Sequence, residues 1–259
     1  MELRSKVIGT GRPFVFLHAF PLSHELFDDW SGIEGFELIL PDFPGFGLTP
    51  LYPEEPTLDR VAEALAEHLK HMGIHEKIVL GGISMGGYWA FEFLRLYPEM
   101  VGKLLLASTR PGPDKPEGRA GRLTMADRVL QQGTEFMVDA MTPALLGKTT
   151  LAQGDRITGR LAQWIRVTRP EAVAGAQRAM AQRRDQTEFL TSLQVPTLIL
   201  AGAEDTLIPP AEAHRMKELI PNSQLVTIEK AGHLLPLEAP RIFQSSIESF
   251  VRSSAEKGS

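Results

Sequence analysis

The sequence predicts an α/β protein with a mostly parallel central sheet flanked by helices. Three features predict this class: short apolar segments alternate with segments of helical periodicity, Gly or Pro bounds the apolar segments, and one long central region has helical periodicity alone. Short, continuously apolar segments are typical of strands that are buried on both faces of a parallel sheet. Their alternation with helices is typical of a doubly wound architecture.

The strand pattern recurs along the chain, before and after the central region. The predicted strands are 14–17, 36–40, 77–80, 103–106, 197–200 and 224–228.

Helical periodicity marks the segments between several of these strands. In the first helix Thr57 is the predicted N-cap, Leu58 and Val61 begin an apolar face, and Gly73 ends it. The predicted helices outside the central region are 57–72, 88–96, 211–220 and 241–251.

The central region, residues 112–190, interrupts this alternation because it contains no convincing strand pattern. It holds 12 Lys and Arg against 9 Asp and Glu, a net charge of +3, so the remainder carries −8. We interpret it as a helical cap, or lid, inserted into a core domain formed by residues 1–111 and 191–259.

Composition excludes several classes of function. The chain has 259 residues, a net charge of −5 and no cysteine, so disulfides, thiolate metal sites and a cysteine nucleophile are excluded. The acidic charge gives no reason to expect nucleic-acid binding. No apolar segment is long enough to span a membrane, and residues 1–13 lack a signal-peptide core. We therefore expect a cytoplasmic protein with no nucleic-acid or membrane partner.

A glycine-rich segment at 81–87 carries the strongest chemical signal. Residues 82–86 read Gly-Ile-Ser-Met-Gly and lie between a predicted strand and a predicted helix. In the G-x-S-x-G motif the serine is a nucleophile on a tight strand-to-helix turn, and the next N–H helps to bind the oxyanion. Ser84 is thus the candidate nucleophile and Met85 an oxyanion donor. The alternative is a glycine-rich turn with an incidental serine.

A serine nucleophile needs a histidine base and a carboxylate that orients the histidine. His233 follows the last predicted strand, and Asp205 follows strand 197–200. Both loops therefore leave the carboxyl edge of the sheet, where open α/β sheets place their sites. Glu204 and Asp114 are the alternative acids. The chain order Ser84, Asp205, His233 is that of one class of serine hydrolase.

Motifs from one end of the chain to the other resemble those of the α/β-hydrolase superfamily. They are LHAFPL at 17–22, PDFPGFG at 41–47, GISMGG at 82–87, LAGAED at 200–205 and AGHLLPLEAP at 231–240. Within the superfamily the chain is similar to small bacterial serine carboxylesterases grouped with 3-oxoadipate enol-lactonases and cofactor-free haloperoxidase-like esterases. The resemblance implies the α/β-hydrolase fold, an oxyanion N–H from Phe20, a cap at 112–190, and no cofactor or metal.

One position departs from the family pattern. The family usually has His-Gly where this chain has His18-Ala19. Since alanine disfavours positive φ, the oxyanion loop needs a conformation that Ala19 tolerates. We interpret His18 as a structural histidine that braces this loop.

A serine at the nucleophile position sets aside the dehalogenases and epoxide hydrolases of this fold, which use aspartate. We expect a carboxylesterase that acts on short to medium acyl chains through an acyl-enzyme. The nearest alternative is an enol-lactone hydrolase. A cofactor-free perhydrolase or C–C bond hydrolase would use the same residues, and a ligand-binding receptor would keep the scaffold with little turnover.

The substrate is expected to be a small ester or lactone, bound partly by the cap. Adaptable side chains of the cap are candidates to line its pocket, although each has packing within the cap as an alternative role. They are Met137, Met141, Leu145 and Trp164. The excess of basic residues in the cap has two interpretations. They favour a carboxylate-bearing substrate, or, as the simpler interpretation, the arginines only solvate the cap helices. For the oligomeric state, the sequence is compatible with a monomer and with a homodimer.

Overall fold

The central element of the fold is a seven-stranded sheet in the order β1-β3-β2-β4-β5-β6-β7. A computed structural model describes residues 1–253, so residues 254–259 of the predicted core lie outside the described part. The strands are β1 Ser5–Gly9, β2 Arg12–Leu17, β3 Phe36–Pro41, β4 Ile78–Ile83, β5 Val101–Ala107, β6 Thr197–Gly202 and β7 Ser223–Ile228.

The strand pairs from β3 to β7 are all parallel, and β1 alone pairs antiparallel, with β3. All six predicted strands overlap strands of the structure. The sequence pattern missed β1, a half-exposed edge strand whose Val7 is open to solvent. A strand with one exposed face has no continuous apolar segment to mark it.

Helices connect the parallel strands and cover both faces of the sheet. They are α1 Leu58–His71, α2 Met85–Leu96, α3 Pro116–Gln132, α4 Glu135–Leu145, α5 Lys148–Leu151, α6 Asp155–Val167, α7 Pro170–Ala181, α8 Thr187–Thr191, α9 Pro210–Leu219, α10 Leu235–Glu238 and α11 Pro240–Ser253.

Two adjacent glycines of β4 show how tightly the two layers approach the sheet. A Cβ on Gly81 would lie 2.4 Å from the ring of Phe16, which packs edge-on against Phe243 of α11. A Cβ on Gly82 would lie 2.2 Å from the Gly86 carbonyl of α2. Because successive residues of a strand face opposite sides, α11 and α2 cover opposite faces.

Between β5 and β6 the chain forms α3 to α8. Within this segment α3 packs against α7, and α4 packs against α6. Two of its contacts with the sheet-forming part are made to segments next to the loops that leave the carboxyl edge. The Thr168 hydroxyl donates a hydrogen bond to the Pro21 carbonyl (3.1 Å), and the Gly147 N–H donates to Glu238 Oε2 (2.7 Å). The helical segment therefore lies over the edge where Ser84, Asp205 and His233 follow their strands.

Candidate active site

Ser84 occupies the turn between β4 and α2 in a strained backbone conformation. Its φ of 56° and ψ of −114° lie where residues other than glycine are rarely found. Its backbone is held from three sides, since the Ser84 N–H donates to the Ala107 carbonyl, and its own carbonyl accepts from the Gly87 N–H and the Thr109 hydroxyl, all at 2.9 Å. This conformation keeps the serine at the carboxyl end of β4.

Close packing of the backbone explains the glycines around Ser84. A Cβ on Gly86 would lie 2.2 Å from the Leu17 carbonyl oxygen, and one on Gly87 would lie 2.3 Å from the hydroxyl of Thr109. None of Gly82, Gly86 and Gly87 has a positive φ. Glycine is thus required here for the space a side chain would fill, while Ser84 itself carries the strained dihedral angles.

Asp205 and His233 form a buried pair at the same edge of the sheet. Asp205 Oδ2 lies 2.8 Å from His233 Nδ1, and Asp205 Oδ1 accepts hydrogen bonds from the N–H groups of Leu207 (2.9 Å) and Ile208 (2.8 Å). Both carboxylate oxygens are therefore engaged, which orients the imidazole. His233 Nε2 is buried and has no hydrogen-bond partner within residues 1–253, so the atom that would serve as a base is unoccupied.

Two backbone donors near Ser84 are also unoccupied. Among the described residues, the N–H groups of Phe20 and Met85 donate to no backbone or side-chain acceptor. Phe20 borders the same cavity as Ser84, and Met85 is the first residue of α2. The start of a helix favours negative charge, so these donors suit an oxyanion.

Ala19 fits the loop that presents Phe20. The non-glycine residues of 1–253 with positive φ are Ser84, Ser108 and Lys230, so Ala19 avoids the conformation that alanine disfavours. The Phe43 N–H donates to His18 Nε2 (2.9 Å), which leaves Nδ1 to donate to the Ala19 carbonyl (3.0 Å). Burial lowers the pKa of His18. His18 is thus a neutral brace for this loop.

The two alternative acids are engaged elsewhere. Glu204 accepts hydrogen bonds from the N–H (2.7 Å) and hydroxyl (2.6 Å) of Thr149. Asp114 contacts Arg110, Arg122 and Arg183. Neither carboxylate is hydrogen-bonded to His233.

The four cap residues predicted to line the pocket separate into three groups. Met141 borders a cavity of about 300 Å³ that also contains Ser84, Phe20 and Tyr88. Trp164 borders a different cavity, with Leu22 and His24. Met137 and Leu145 have no exposed surface and belong to the hydrophobic core. Of the four residues, Met141 alone borders the cavity that contains Ser84. Helical periodicity does not reveal which apolar side of a helix meets that cavity.

Several residues of the site escaped the sequence analysis. Arg110 and Arg122 border the Ser84 cavity, and both contact Asp114, which borders it as well. Glu238 lies within the AGHLLPLEAP motif, but nothing in that motif indicates its partners. It accepts hydrogen bonds from Gly232 (3.0 Å) and Leu234 (2.9 Å), which flank His233, and from Gly147 and Thr150 of the helical segment (both 2.7 Å).

Within residues 1–253, no group of three or more His, Cys, Asp or Glu side chains is arranged to hold a metal ion. None of the helices in that part of the chain combines the length and the apolar character needed to cross a bilayer.

Comparison with known proteins gives consistent matches over nearly the whole chain. The family model described as the alpha/beta hydrolase fold matches residues 12–240. The AB hydrolase superfamily protein YisY of Bacillus subtilis (strain 168) is 30% identical over 95% of this chain and 94% of its own length. The pimeloyl-[acyl-carrier protein] methyl ester esterase of Aeromonas hydrophila is 28% identical over 97% of this chain and 100% of its own.

A solved structure matches the whole architecture. The thermophilic esterase of Thermogutta terrifontis, solved with malate bound, is 38% identical to this chain. The match covers 96% of this chain and 93% of the esterase, with a TM-score of 0.93.

Proposed function

This chain is a member of the α/β-hydrolase family, and from that premise we propose that it is a serine carboxylesterase. The family and its esterase relatives support a hydrolase. The observation that carries the finer proposal is the Asp205–His233 pair, with His233 Nε2 buried and unpartnered at the edge where Ser84 stands on its strained turn.

In the proposed reaction Ser84 Oγ attacks the ester carbonyl while His233 Nε2 accepts the hydroxyl proton. Asp205 holds the Nδ1 proton and stabilises the imidazolium that forms. The N–H groups of Phe20 and Met85 bind the oxyanion, where preorganised donors are most effective. His233 then protonates the leaving alcohol, and the acyl group stays on Ser84.

The second half repeats these steps with water. His233 Nε2 takes a proton from the water, the hydroxide adds to the acyl carbonyl, and Ser84 leaves as the proton returns to it. The product is a carboxylic acid. Ser84 Oγ and His233 Nε2 are not hydrogen-bonded to each other in the structure; such bonds are often long before substrate binds.

We further propose that residues 112–190 act as a cap on the substrate cavity. Met125, Met141 and Met180 from this segment border the cavity that contains Ser84. Methionine side chains adapt to ligands of different shape, so the cap is the proposed source of chain-length preference for short to medium acyl groups.

The test combines turnover with covalent labelling. We expect the purified protein to hydrolyse p-nitrophenyl acetate over many turnovers, and a phosphonofluoridate to add once per chain, at Ser84, as seen by peptide mass spectrometry. Ser84→Ala should lose both. A single stoichiometric release without turnover would favour a binding protein, and labelling at another serine would overturn the assignment. A panel of lactones beside the esters decides between esterase and lactonase.

A further inference from the structure

Several arginine side chains lie at the cavity that contains Ser84. Arg110, Arg122 and Asp114 all border it, and Arg183 is buried directly behind Asp114. Apolar side chains border the same cavity, among them Met125, Met141 and Leu207. The cavity therefore combines the candidate nucleophile, an apolar surface and a group of guanidiniums.

The single carboxylate of this group is saturated by the arginines. Asp114 Oδ1 accepts from Arg110 Nη2 (2.7 Å) and Arg183 Nη2 (2.9 Å), and Oδ2 accepts from Arg122 Nε (2.5 Å) and Arg183 Nη1 (2.5 Å). Burial would raise the pKa of Asp114, but the hydrogen bonds from Arg183 and Arg122 outweigh it and hold that pKa well below its usual range. With the arginines always protonated, three positive charges face one negative charge.

The three guanidiniums differ in how far their donors are used. Arg183 also donates to the carbonyls of Gly112 (3.2 Å) and Met180 (3.0 Å), so its donors are largely occupied. Arg122 Nη1 donates to the side-chain oxygen of Gln177 (3.0 Å). Arg110 is different, because within residues 1–253 its side chain makes one hydrogen bond, to Asp114, and its Nε is buried without a partner.

A buried donor with no acceptor destabilises a protein unless a ligand or water satisfies it. A structural role for the cluster, tying the loop after β5 to α3 and α7, explains Arg122 and Arg183. It does not explain Arg110, which borders the cavity and whose Nε has no acceptor among residues 1–253. The N–H pattern of a guanidinium matches a carboxylate in particular, which can accept two parallel hydrogen bonds.

The position of Arg110 also links it to the reaction centre. It lies next to Thr109, whose hydroxyl donates to the Ser84 carbonyl (2.9 Å). Ser84 and Arg110 also border the same cavity, so an acyl chain attached to Ser84 shares that cavity with the guanidinium.

We propose that Arg110, supported by the excess charge of Arg122 and Arg183, binds a free carboxylate of the substrate. The substrate class is then monoesters of short dicarboxylic acids, with the ester carbonyl at Ser84 and the free carboxylate at Arg110. This assignment rests on the proposed esterase function, and it selects among esters by charge as well as by length.

The experiment compares two p-nitrophenyl esters of similar length, the anionic glutarate monoester and the neutral pentanoate. We expect wild type to prefer the anionic ester in kcat/KM. In Arg110→Gln the ratio of anionic to neutral kcat/KM should fall roughly 10- to 100-fold, as for a lost charge-assisted hydrogen bond. Arg110→Lys should recover part of the ratio. Arg156→Gln removes the same charge from an exposed position in α6 and should keep the wild-type ratio.

An unchanged ratio in Arg110→Gln, or a wild type that prefers the neutral ester, would overturn the proposal. If Arg110→Gln does not fold, wild type alone decides: glutarate should inhibit pentanoate hydrolysis competitively at much lower concentration than glutaramide, and equal inhibition would refute the site. Failure of the esterase function is distinguishable, because wild type would then hydrolyse neither ester. Calorimetric binding of glutarate, present or absent, still decides the anion site in that case.

Discussion

Asp205 engages His233 through one carboxylate oxygen, at 2.8 Å from Nδ1, while its other oxygen accepts two backbone N–H groups. Asn at this position can keep the backbone bonds only by turning its NH₂ group toward His233, which favours the wrong tautomer. We predict that Asp205→Asn lowers kcat by up to about 10⁴-fold. Steady-state kinetics on p-nitrophenyl acetate measure it.

The neighbouring Glu204→Gln is the matched control and should retain far more activity, because Glu204 contacts Thr149 and not His233. Full activity in Asp205→Asn, with loss in Asp114→Asn, would assign the acid to the loop after β5.

The contact of Gly82 with Gly86 predicts a stability effect. Gly82→Ala would place Cβ 2.2 Å from the Gly86 carbonyl oxygen, a backbone atom that cannot move without displacing Ser84. We expect the free energy of unfolding to fall by about 1–3 kcal/mol or more, measured by chemical denaturation. Gly159→Ala in α6 meets no atom within 4 Å and should instead gain about 0.5–1 kcal/mol. Similar changes in both variants would contradict this account of the glycines.

Glu238 joins the His233 loop to the helical segment through four hydrogen bonds. In Glu238→Gln one oxygen becomes an NH₂ group, which must face an N–H donor. We predict a loss of about 1–3 kcal/mol of unfolding free energy, because hydrogen bonds to a charged group are lost at this half-buried site, together with a lower kcat. Glu218→Gln, at an exposed position of α9, should change neither quantity. A Glu238→Gln variant with wild-type stability would show that these bonds are replaceable.

The position of Met141 on the Ser84 cavity predicts its effect on specificity. Met141→Ala enlarges that cavity, so we expect the preferred acyl chain to become longer while p-nitrophenyl acetate is still hydrolysed. Trp164→Ala enlarges a separate cavity and should leave the chain-length profile as it is. The measurement is kcat/KM across acetate to decanoate esters. If the preferred chain length changed in Trp164→Ala but not in Met141→Ala, the acyl pocket would be the cavity that Trp164 borders.

His24 predicts a pH dependence of stability. Its Nδ1 lies 2.8 Å from Asp42 Oδ2, and this hydrogen bond raises the pKa of His24 above 6.5 in the folded state. The pair's contribution is therefore complete below the unfolded pKa and is lost as the pH rises through the folded pKa. Denaturant unfolding should show a larger loss for His24→Gln at pH 5.5 than at pH 9. His214→Gln, at an exposed position of α9, is the control and should change the stability little at either pH. An equal loss for His24→Gln at both pH values would refute the linkage.

The sequence by itself determined the parallel strands, the helices and the loops that carry Ser84, Asp205 and His233. Each of these is a local pattern: an apolar segment is buried on both faces, and a strand-to-helix turn needs small residues. The sequence also predicted that the loop at Ala19 avoids positive φ, because that requirement concerns a single residue.

The tertiary structure decided what depends on distant segments meeting. Whether Met137, Met141 or Trp164 borders the cavity depends on how helices α4 and α6 are rotated against the sheet-forming part. Two partners of Glu238, Gly147 and Thr150, are 91 and 88 residues away from it in the sequence. The structure alone shows that Arg110 Nε lacks an acceptor, while Asp114 is shared with Arg122 and Arg183. The sequence gives the type of every side chain. It does not show which donors remain unpaired, because that depends on where the tertiary structure places every acceptor.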